Sequence, residues 1–316
     1  MGLLNKIFHQ KSHLWLLIIL MSPFTDVSAQ QEPQYTQYMF NTMGVNPAYA
    51  GTREALNVSL LSRHQWAGLD GAPRTYDLSA HTPFNNFNMG LGFSIVSDNY
   101  GPVNNLFFNV NYAYRIQLSR TTTLSMGIKG GLFNYHVNLS SLETDAADPA
   151  FEKDLEQRFK PNAGVGLYLY SKKFYVGISA PRLIETDLSG NQTTTGKITE
   201  LQRHYYFMAG LVIGNQKYFK FKPSLITRAV EGAPFSAEIT GQFIFNQTLW
   251  TGVSYRSNQA IAMLAGLQIT RQLMIGYSYD FPISDLKPFD SGTHEVIISY
   301  DFKGFRKNGL VSPRYF

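Results

Sequence analysis

Apolar and polar residues alternate along much of the chain with a period of two. The clearest run extends over residues 105–119, where every second residue from Leu106 to Leu118 is apolar and most of the residues between them are polar. This period is typical of a β-strand with two different faces. A strand tilted through a bilayer needs about 9 to 11 residues with apolar side chains facing lipid. The pattern therefore predicts an outer-membrane β-barrel.

The same alternation predicts fourteen strands between residues 55 and 302. Their expected bounds are 55–66, 75–83, 88–98, 105–118, 122–138, 162–171, 173–181, 204–214, 217–230, 235–246, 248–257, 260–270, 272–282 and 294–302. The predicted fold class is an all-β, transmembrane antiparallel β-barrel of fourteen strands with an N-terminal plug or arm.

The length of a connection between these strands depends on whether it is even-numbered or odd-numbered along the chain. The even-numbered connections are tight, whereas the odd-numbered ones include the long segments 138–161, 182–203 and 282–293. Membrane barrels have short periplasmic turns and longer outer loops. This parity predicts that the amino end of the barrel and its even-numbered connections face the periplasm.

Charged residues fall almost entirely on one face of the predicted strands. A Lys or Arg facing lipid at mid-bilayer costs about 2 to 4 kcal/mol, so the charged face is expected to line the lumen. The candidate lumen charges are Arg115, Lys129, Lys220, Lys222, Arg228, Glu238, Arg256 and Asp280.

The first 29 residues look like a secretory signal peptide. Lys6 and Lys11 precede a short apolar core, and Val27-Ser28-Ala29 offers small residues for cleavage before Gln30. A retained transmembrane helix, the alternative, would need about 20 apolar residues. The segment therefore predicts export through a cleaved leader.

Residues 30–54 form a predicted periplasmic arm or plug. The segment is rich in aromatic residues but lacks clean alternation, and Asn46-Pro47 begins a turn that would fold it back toward the barrel. We expect it to plug or line the periplasmic mouth, with a flexible linker as the alternative. Residues 303–316 are expected to form a basic C-terminal tail in the periplasm.

Composition supports the barrel and narrows its chemistry. The 316 residues include 23 Phe, 19 Tyr and 26 Gly but only 16% charged residues, a bias suited to aromatic girdles and a crowded lumen. The absence of cysteine excludes disulfides, cysteine metal sites and a lipid-anchored first cysteine. A net charge of +5, or +4 without the leader, is too small and too scattered to indicate nucleic-acid binding.

The common catalytic and cofactor signatures are missing from the sequence. It contains no GxSxG, HExxH or GxxxxGK[ST] motif, and its histidines are dispersed. The acidic residues of the longest loop could ligate calcium but lack EF-hand spacing, which favours a solvated loop. We therefore expect no catalytic, cofactor or metal site and no enzymatic activity.

Several motifs together resemble one family. They are Gln31-Glu32-Pro33-Gln34-Tyr35-Thr36-Gln37-Tyr38-Met39-Phe40-Asn41, Asn46-Pro47-Ala48-Tyr49-Ala50-Gly51, Arg63-His64-Gln65-Trp66, Gly71-Ala72-Pro73, Ser79-Ala80-His81-Thr82-Pro83, Lys222-Pro223-Ser224, Trp250-Thr251-Gly252, Tyr255-Arg256, Gly276-Tyr277-Ser278-Tyr279-Asp280, Gly292-Thr293-His294-Glu295 and Tyr300-Asp301-Phe302. Over nearly the whole mature chain, the sequence resembles the PorP/SprF family of type IX secretion and gliding-motility outer-membrane proteins of Bacteroidetes. Thr42-Met43 departs from the Pro-Leu often found there in the family.

The resemblance implies a non-enzymatic barrel that supports secretion or surface attachment of large, adhesin-like client proteins bearing a C-terminal signal domain. It also implies contacts with periplasmic ring and peptidoglycan-associated components, beside outer-membrane lipid. It does not separate a client-specific partner from a core component. The candidate plug and partner contacts are taken from position in the arm, at a rim formed by residues 63–66 and in the basic tail. They are Tyr35, Tyr38, Met39, Phe40, Asn46, Pro47, Tyr49, Arg63, Trp66, Arg314, Tyr315 and Phe316.

One other function remains open, and one other class of protein is disfavoured. An outer-membrane channel resembling the fatty-acid-transporter barrels would use the lumen charges to select small solutes. A soluble periplasmic β-protein is disfavoured because many rows of apolar residues would face water.

Overall fold

The computed structural model describes residues 32–53, 55–84, 88–141, 154–187, 200–215, 218–231, 233–284 and 290–302. The predicted leader and C-terminal tail lie outside them. The strands are β1 Leu56–His64, β2 Arg74–Phe84, β3 Met89–Tyr100, β4 Val103–Gln117, β5 Thr122–Val137, β6 Leu155–Ser171, β7 Phe174–Arg182, β8 Thr186–Asp187, β9 Glu200–Leu201, β10 His204–Leu211, β11 Ile213–Asn215, β12 Phe219–Val230, β13 Ser236–Phe245, β14 Leu249–Arg256, β15 Ala260–Gln268, β16 Leu273–Pro282 and β17 Thr293–Phe302.

These strands form a closed antiparallel barrel. Strands adjacent in sequence pair from β1 to β7 and from β12 to β17, while β10 joins β7 to β12. The pairing of β1 with β17, which sets Leu56 opposite Phe302, completes the ring. With β10 and β11 counted as two parts of one strand, the barrel has fourteen strands. The predicted fold is therefore confirmed.

Two strands differ from prediction by more than two residues at either end or by an interruption. β6 begins at Leu155 rather than at 162, and its first residues pair with the end of β5. This part has only Leu155, Phe159 and Pro161 as apolar residues and contains a register shift opposite β5, so a regular period-two pattern did not reveal it. The strand predicted over 204–214 is interrupted at Val212, opposite the stretch of β12 that contains Pro223. Proline has no N–H to donate to a neighbouring strand, which explains the break.

Side chains alternate between an apolar outer face and a polar lumen. On β14, Val253 is 53% exposed on the outside, whereas the adjacent Ser254 is 1% exposed inside.

The even-numbered connections of the barrel contain two to four residues, and the long ones are odd-numbered. We call the two ends of the barrel the even end and the odd end after these connections.

The lumen is filled by residues 32–53, which we call the arm. It contains a single-turn α-helix, α1 (Thr42–Val45), and a 3-10 helix (Pro47–Tyr49). A second 3-10 helix, Leu139–Ser141, follows β5. In the described part of the chain, no helix combines the length and apolarity needed to cross a membrane.

Candidate functional site

The arm runs through the barrel from one end to the other. At the odd end, Glu32 Oε1 lies 2.6 Å from Nε of Arg182, the last residue of β7. At the even end, Arg53 Nη1 lies 3.4 Å from Asp301 Oδ1, near the end of β17. The sequence placed the arm at one mouth, but the structure extends it over the height of the lumen.

Arg63 is the centre of a buried ion-pair network that holds the first half of the arm. Its Nη1 lies 2.9 Å from Glu295 Oε2, and its Nη2 lies 2.9 Å from Asp280 Oδ2. Arg63 also donates a hydrogen bond to the Thr36 hydroxyl at 3.1 Å. The backbone N–H groups of Thr36 and Gln37 donate to the two oxygens of Glu295 at 3.0 and 2.8 Å. One carboxylate thus binds both the barrel wall and the arm.

Arg256 extends this network to β13. Its Nε lies 2.8 Å from Glu238 Oε2, and its Nη1 lies 3.5 Å from Asp280 Oδ2. Its Nη2 donates to the Thr36 hydroxyl at 3.0 Å, and that hydroxyl donates to Asp280. Two arginines and three carboxylates therefore surround one threonine of the arm. Hydrogen bonds to each partner are what make such buried charges tolerable.

Aromatic residues of the arm form an apolar contact with the same strands as this network, nearer the even end. Phe40 packs against Trp250 with ring centroids 4.3 Å apart, and Met39 is 2% exposed. The Tyr38 hydroxyl donates to Ser224 Oγ at 3.1 Å, which satisfies its one polar atom. The Lys222 ammonium lies 5.9 Å from the centre of the Phe40 ring, within cation–π range.

The second half of the arm is held through its backbone. Asn46 caps the 3-10 helix by accepting from the Ala48 N–H at 3.0 Å, and its amide donates to Leu167 O at 3.0 Å. Ser125 Oγ donates to Ala48 O at 2.6 Å. A Cβ at Gly166 would collide with Asn46, so this glycine is required by the close approach of arm and wall.

The arm is also fixed near its exit. Gly51 has φ +71° and its N–H donates to His81 Nδ1 at 3.2 Å, while Arg115 donates to its carbonyl. Arg115 also donates to Met89 O at 2.7 Å. The arm is thus hydrogen-bonded to the wall near the even end.

Glu32 is ionised in its ion pair with Arg182. Burial raises the pKa of this carboxyl, but His204, Arg182 and Lys129 together outweigh burial and lower the pKa to about 2. The carboxylate is therefore ionised at neutral pH and pairs with the guanidinium. Beside it lies a cavity of about 60 Å³ that is lined by both polar and apolar residues, including Asp77 and Lys129.

The predicted contact residues of the arm all lie inside the lumen. Tyr35, Tyr38, Met39, Phe40, Asn46, Pro47 and Tyr49 are each buried. Arg63 was expected at a rim with Trp66, but it is 3% exposed in the ion-pair network. Trp66 lies in the β1–β2 connection with φ 52°, and its N–H donates to Thr293 Oγ1 at 3.2 Å. Arg314, Tyr315 and Phe316 lie outside the described residues.

The predicted lumen charges face the interior. Arg115, Arg256 and Asp280 form hydrogen bonds with the arm, and Lys129, Lys222, Arg228 and Glu238 lie beside it. Lys220 is buried as well. The sequence missed the partners that the arm contributes, because Thr36 and Gln37 belong to no periodic pattern. The available signals were their position between aromatic residues and their place in the first motif shared with the family. The acidic loop lies mostly outside the described residues, although Asp154 accepts hydrogen bonds from Ser140.

Comparison with known proteins gives a family and a fold. A family model described as "Type IX secretion system membrane protein PorP/SprF" matches residues 27–300. No curated protein matches. Among solved structures, the Ralstonia pickettii toluene transporter TbuX is 9% identical, with 82% of this chain and 92% of that chain covered and a TM-score of 0.51.

Two further solved barrels are similar in part. The CymD monoaromatic hydrocarbon channel is 10% identical, with 86% of this chain and 94% of that chain covered and a TM-score of 0.47. A Pseudomonas aeruginosa FadL homologue is 11% identical, with coverage of 86% and 95% and a TM-score of 0.43. At these identities the similarity concerns the barrel fold and not the ligand.

Proposed function

The chain belongs to the PorP/SprF family of type IX secretion system membrane proteins, and on this basis we propose that it supports the export or surface attachment of large client proteins bearing a C-terminal signal domain. It does so as a plugged barrel in the outer membrane. Its partners are the client and the periplasmic ring and peptidoglycan-associated components of the apparatus.

The single observation that carries this proposal is the filled lumen. The arm spans the barrel and is tied to its wall by the Arg63 network at one level and by Asn46 and Gly51 at others. A folded client cannot pass through a lumen occupied in this way. The barrel therefore acts as a docking platform in the membrane rather than as the conduit.

The placement of the two ends supports periplasmic docking. Short connections lie at the even end, where the arm leaves the lumen and β17 ends. In outer-membrane barrels the short turns face the periplasm. Components of the periplasmic ring would then meet a compact surface at the even end, and the longer odd-numbered connections would face clients at the cell surface.

The proposal is tested by deleting the gene and comparing culture-medium and cell-surface proteins with the parent strain by mass spectrometry. We expect large exported proteins to be lost and to return on complementation. Loss of one or a few would indicate a client-specific partner, and loss of the whole set a core component. An unchanged exported set would contradict the proposal and favour a solute channel.

A variant whose arm is fixed to the wall by a disulfide would distinguish a docking platform from an export conduit. The chain has no cysteine, so a pair replacing Ala50 and Gly92 would form a unique disulfide between arm and wall. A Cβ at Gly92 lies 3.4 Å from Ala50 Cβ, close to the usual disulfide separation of about 3.5–4.5 Å, although the flexible Met43 side chain must move. A platform predicts that the oxidised variant restores export, whereas a conduit predicts restoration only after reduction.

A further inference from the structure

The outer wall of the barrel is concave on one side. A groove of about 800 Å³ crosses the lipid-facing surface from β4 to β12. Val165, Leu167 and Ile178 lie along its middle, and aromatic residues such as Tyr112 and Phe207 flank it. None of the residues that line it is acidic, basic or histidine. A closed barrel is normally convex toward lipid, so this apolar depression requires an explanation.

The arm explains the shape of the wall. Gly127 and Gly166 line the groove, yet a Cβ on either would collide with Ala48 or Asn46 of the arm. The 3-10 helix of the arm packs against β4, β5 and β6, the strands on which these glycines and the near side of the groove lie. Because glycine has no side chain, the wall approaches the arm at this level and leaves a depression outside.

We propose that this groove binds an acyl chain of a membrane phospholipid. The barrel strands span the bilayer, and Val165 and Ile178 are 46% and 51% exposed at this face. The surroundings there are lipid hydrocarbon, and an uncharged apolar groove has no polar group that would exclude a chain. A chain lying in the groove fills the concavity and gains the dispersion contacts that an unfilled depression lacks.

A protein segment fits this site less well. A transmembrane helix about 30 Å long and 10–12 Å wide occupies on the order of 2,500 Å³, roughly three times the groove. Strand addition requires a free sheet edge, but β5, β6 and β7 pair on both sides. A slender acyl chain fits within this volume and requires no unpaired backbone.

The bound chain would lie against the same stretch of wall that holds Asn46 and Ala48 inside. The groove and the contact between arm and barrel therefore share one stretch of wall, and the lipid site does not depend on which clients the protein serves.

The test compares Val165→Trp with Val253→Trp. Val253 is similarly exposed on the lipid face of β14 but lies outside the groove. Each protein is purified folded in mild detergent, delipidated, mixed with palmitoyl-oleoyl phosphatidylethanolamine and examined by native mass spectrometry. We expect wild type and Val253→Trp to retain one phospholipid through detergent exchange, and Val165→Trp to retain at least tenfold less.

Equal retention by all three proteins would mean adventitious lipid only and would overturn the proposal. No retention by the wild type would overturn it as well. Folding is checked by heat-modifiable electrophoretic mobility, and Ile178→Trp, also in the groove, replaces Val165→Trp if that variant does not fold. Because the readout is lipid retention, it is independent of any secretion phenotype.

Discussion

Replacing Arg63 by Met removes the centre of the ion-pair network while keeping an unbranched side chain. The variant loses pairs with Glu295 and Asp280, both at 2.9 Å, and a hydrogen bond to Thr36. Breaking a buried pair at one partner typically destabilises by about 3–5 kcal/mol, because the other charge stays buried. Glu295 keeps two backbone N–H donors and Asp280 keeps Arg256, so we expect a loss of about 3 kcal/mol.

The assay is urea unfolding of the barrel reconstituted in phospholipid vesicles, followed by tryptophan fluorescence. Glu295→Gln alone and combined with Arg63→Met completes a double-mutant cycle. Because the double variant no longer buries an unpaired Glu295 carboxylate, it should be less destabilised than the sum of the two single variants. The exposed pair between Arg203 and Glu185 supplies the control, since Arg203→Met should change stability by at most about 1 kcal/mol.

An Arg63→Met protein that unfolds at the same urea concentration as wild type would refute the reasoning. Additive losses in the double variant would also refute it, because they would show that the two residues do not act together. Either result would mean that the network does not hold the arm against the wall.

Three other outcomes are expected. Val110→Arg, on the lipid face and 55% exposed, should cost about 2–4 kcal/mol and lower the yield of folded barrel in outer membranes, while Val110→Leu should not; equal yields would mean that the inner and outer faces are reversed. Gly166→Val should displace the arm and raise ion conductance in planar bilayers. Gly130→Val, whose added side chain meets open space, should leave conductance at the wild-type level. Wild-type conductance in both variants would contradict the close packing of the arm against Gly166. The pKa of Glu32 is lowered from 4.5 to about 2, so its contribution to holding the arm at Arg182 is complete above pH 4.5 and is lost as pH falls toward 2. Cleavage of the arm by pepsin, divided at each pH by the rate of pepsin on an unfolded reference peptide, should rise over that interval in wild type and stay constant in Glu32→Gln; an equal rise in both proteins would contradict the role of Glu32.

The barrel itself was predictable because a lipid environment imposes a strong rule on every strand. An outward residue such as Val110 must be apolar and an inward one such as Lys222 is free to be polar, so alternation marks both the strand and its orientation. This alternation is not required in the parts of the strands that extend beyond the hydrocarbon region of the membrane. The first residues of β6, near Glu156, lie beyond this constraint and carry no alternation, which is why their strand was missed.

The sequence by itself determined the fourteen-strand antiparallel barrel, the inward direction of its charges and the family to which the chain belongs. Only the tertiary structure decided what those charges do. Thr36 lies 27 positions before Arg63 and 259 positions before Glu295, and no local pattern can report contacts over such separations. The course of the arm, the burial of Arg63 and the concave wall beside Gly166 all follow from how a closed barrel surrounds an irregular segment. The sequence period indicates whether each residue faces lipid or the lumen. Its contact partner across the lumen depends on how the closed barrel surrounds the arm.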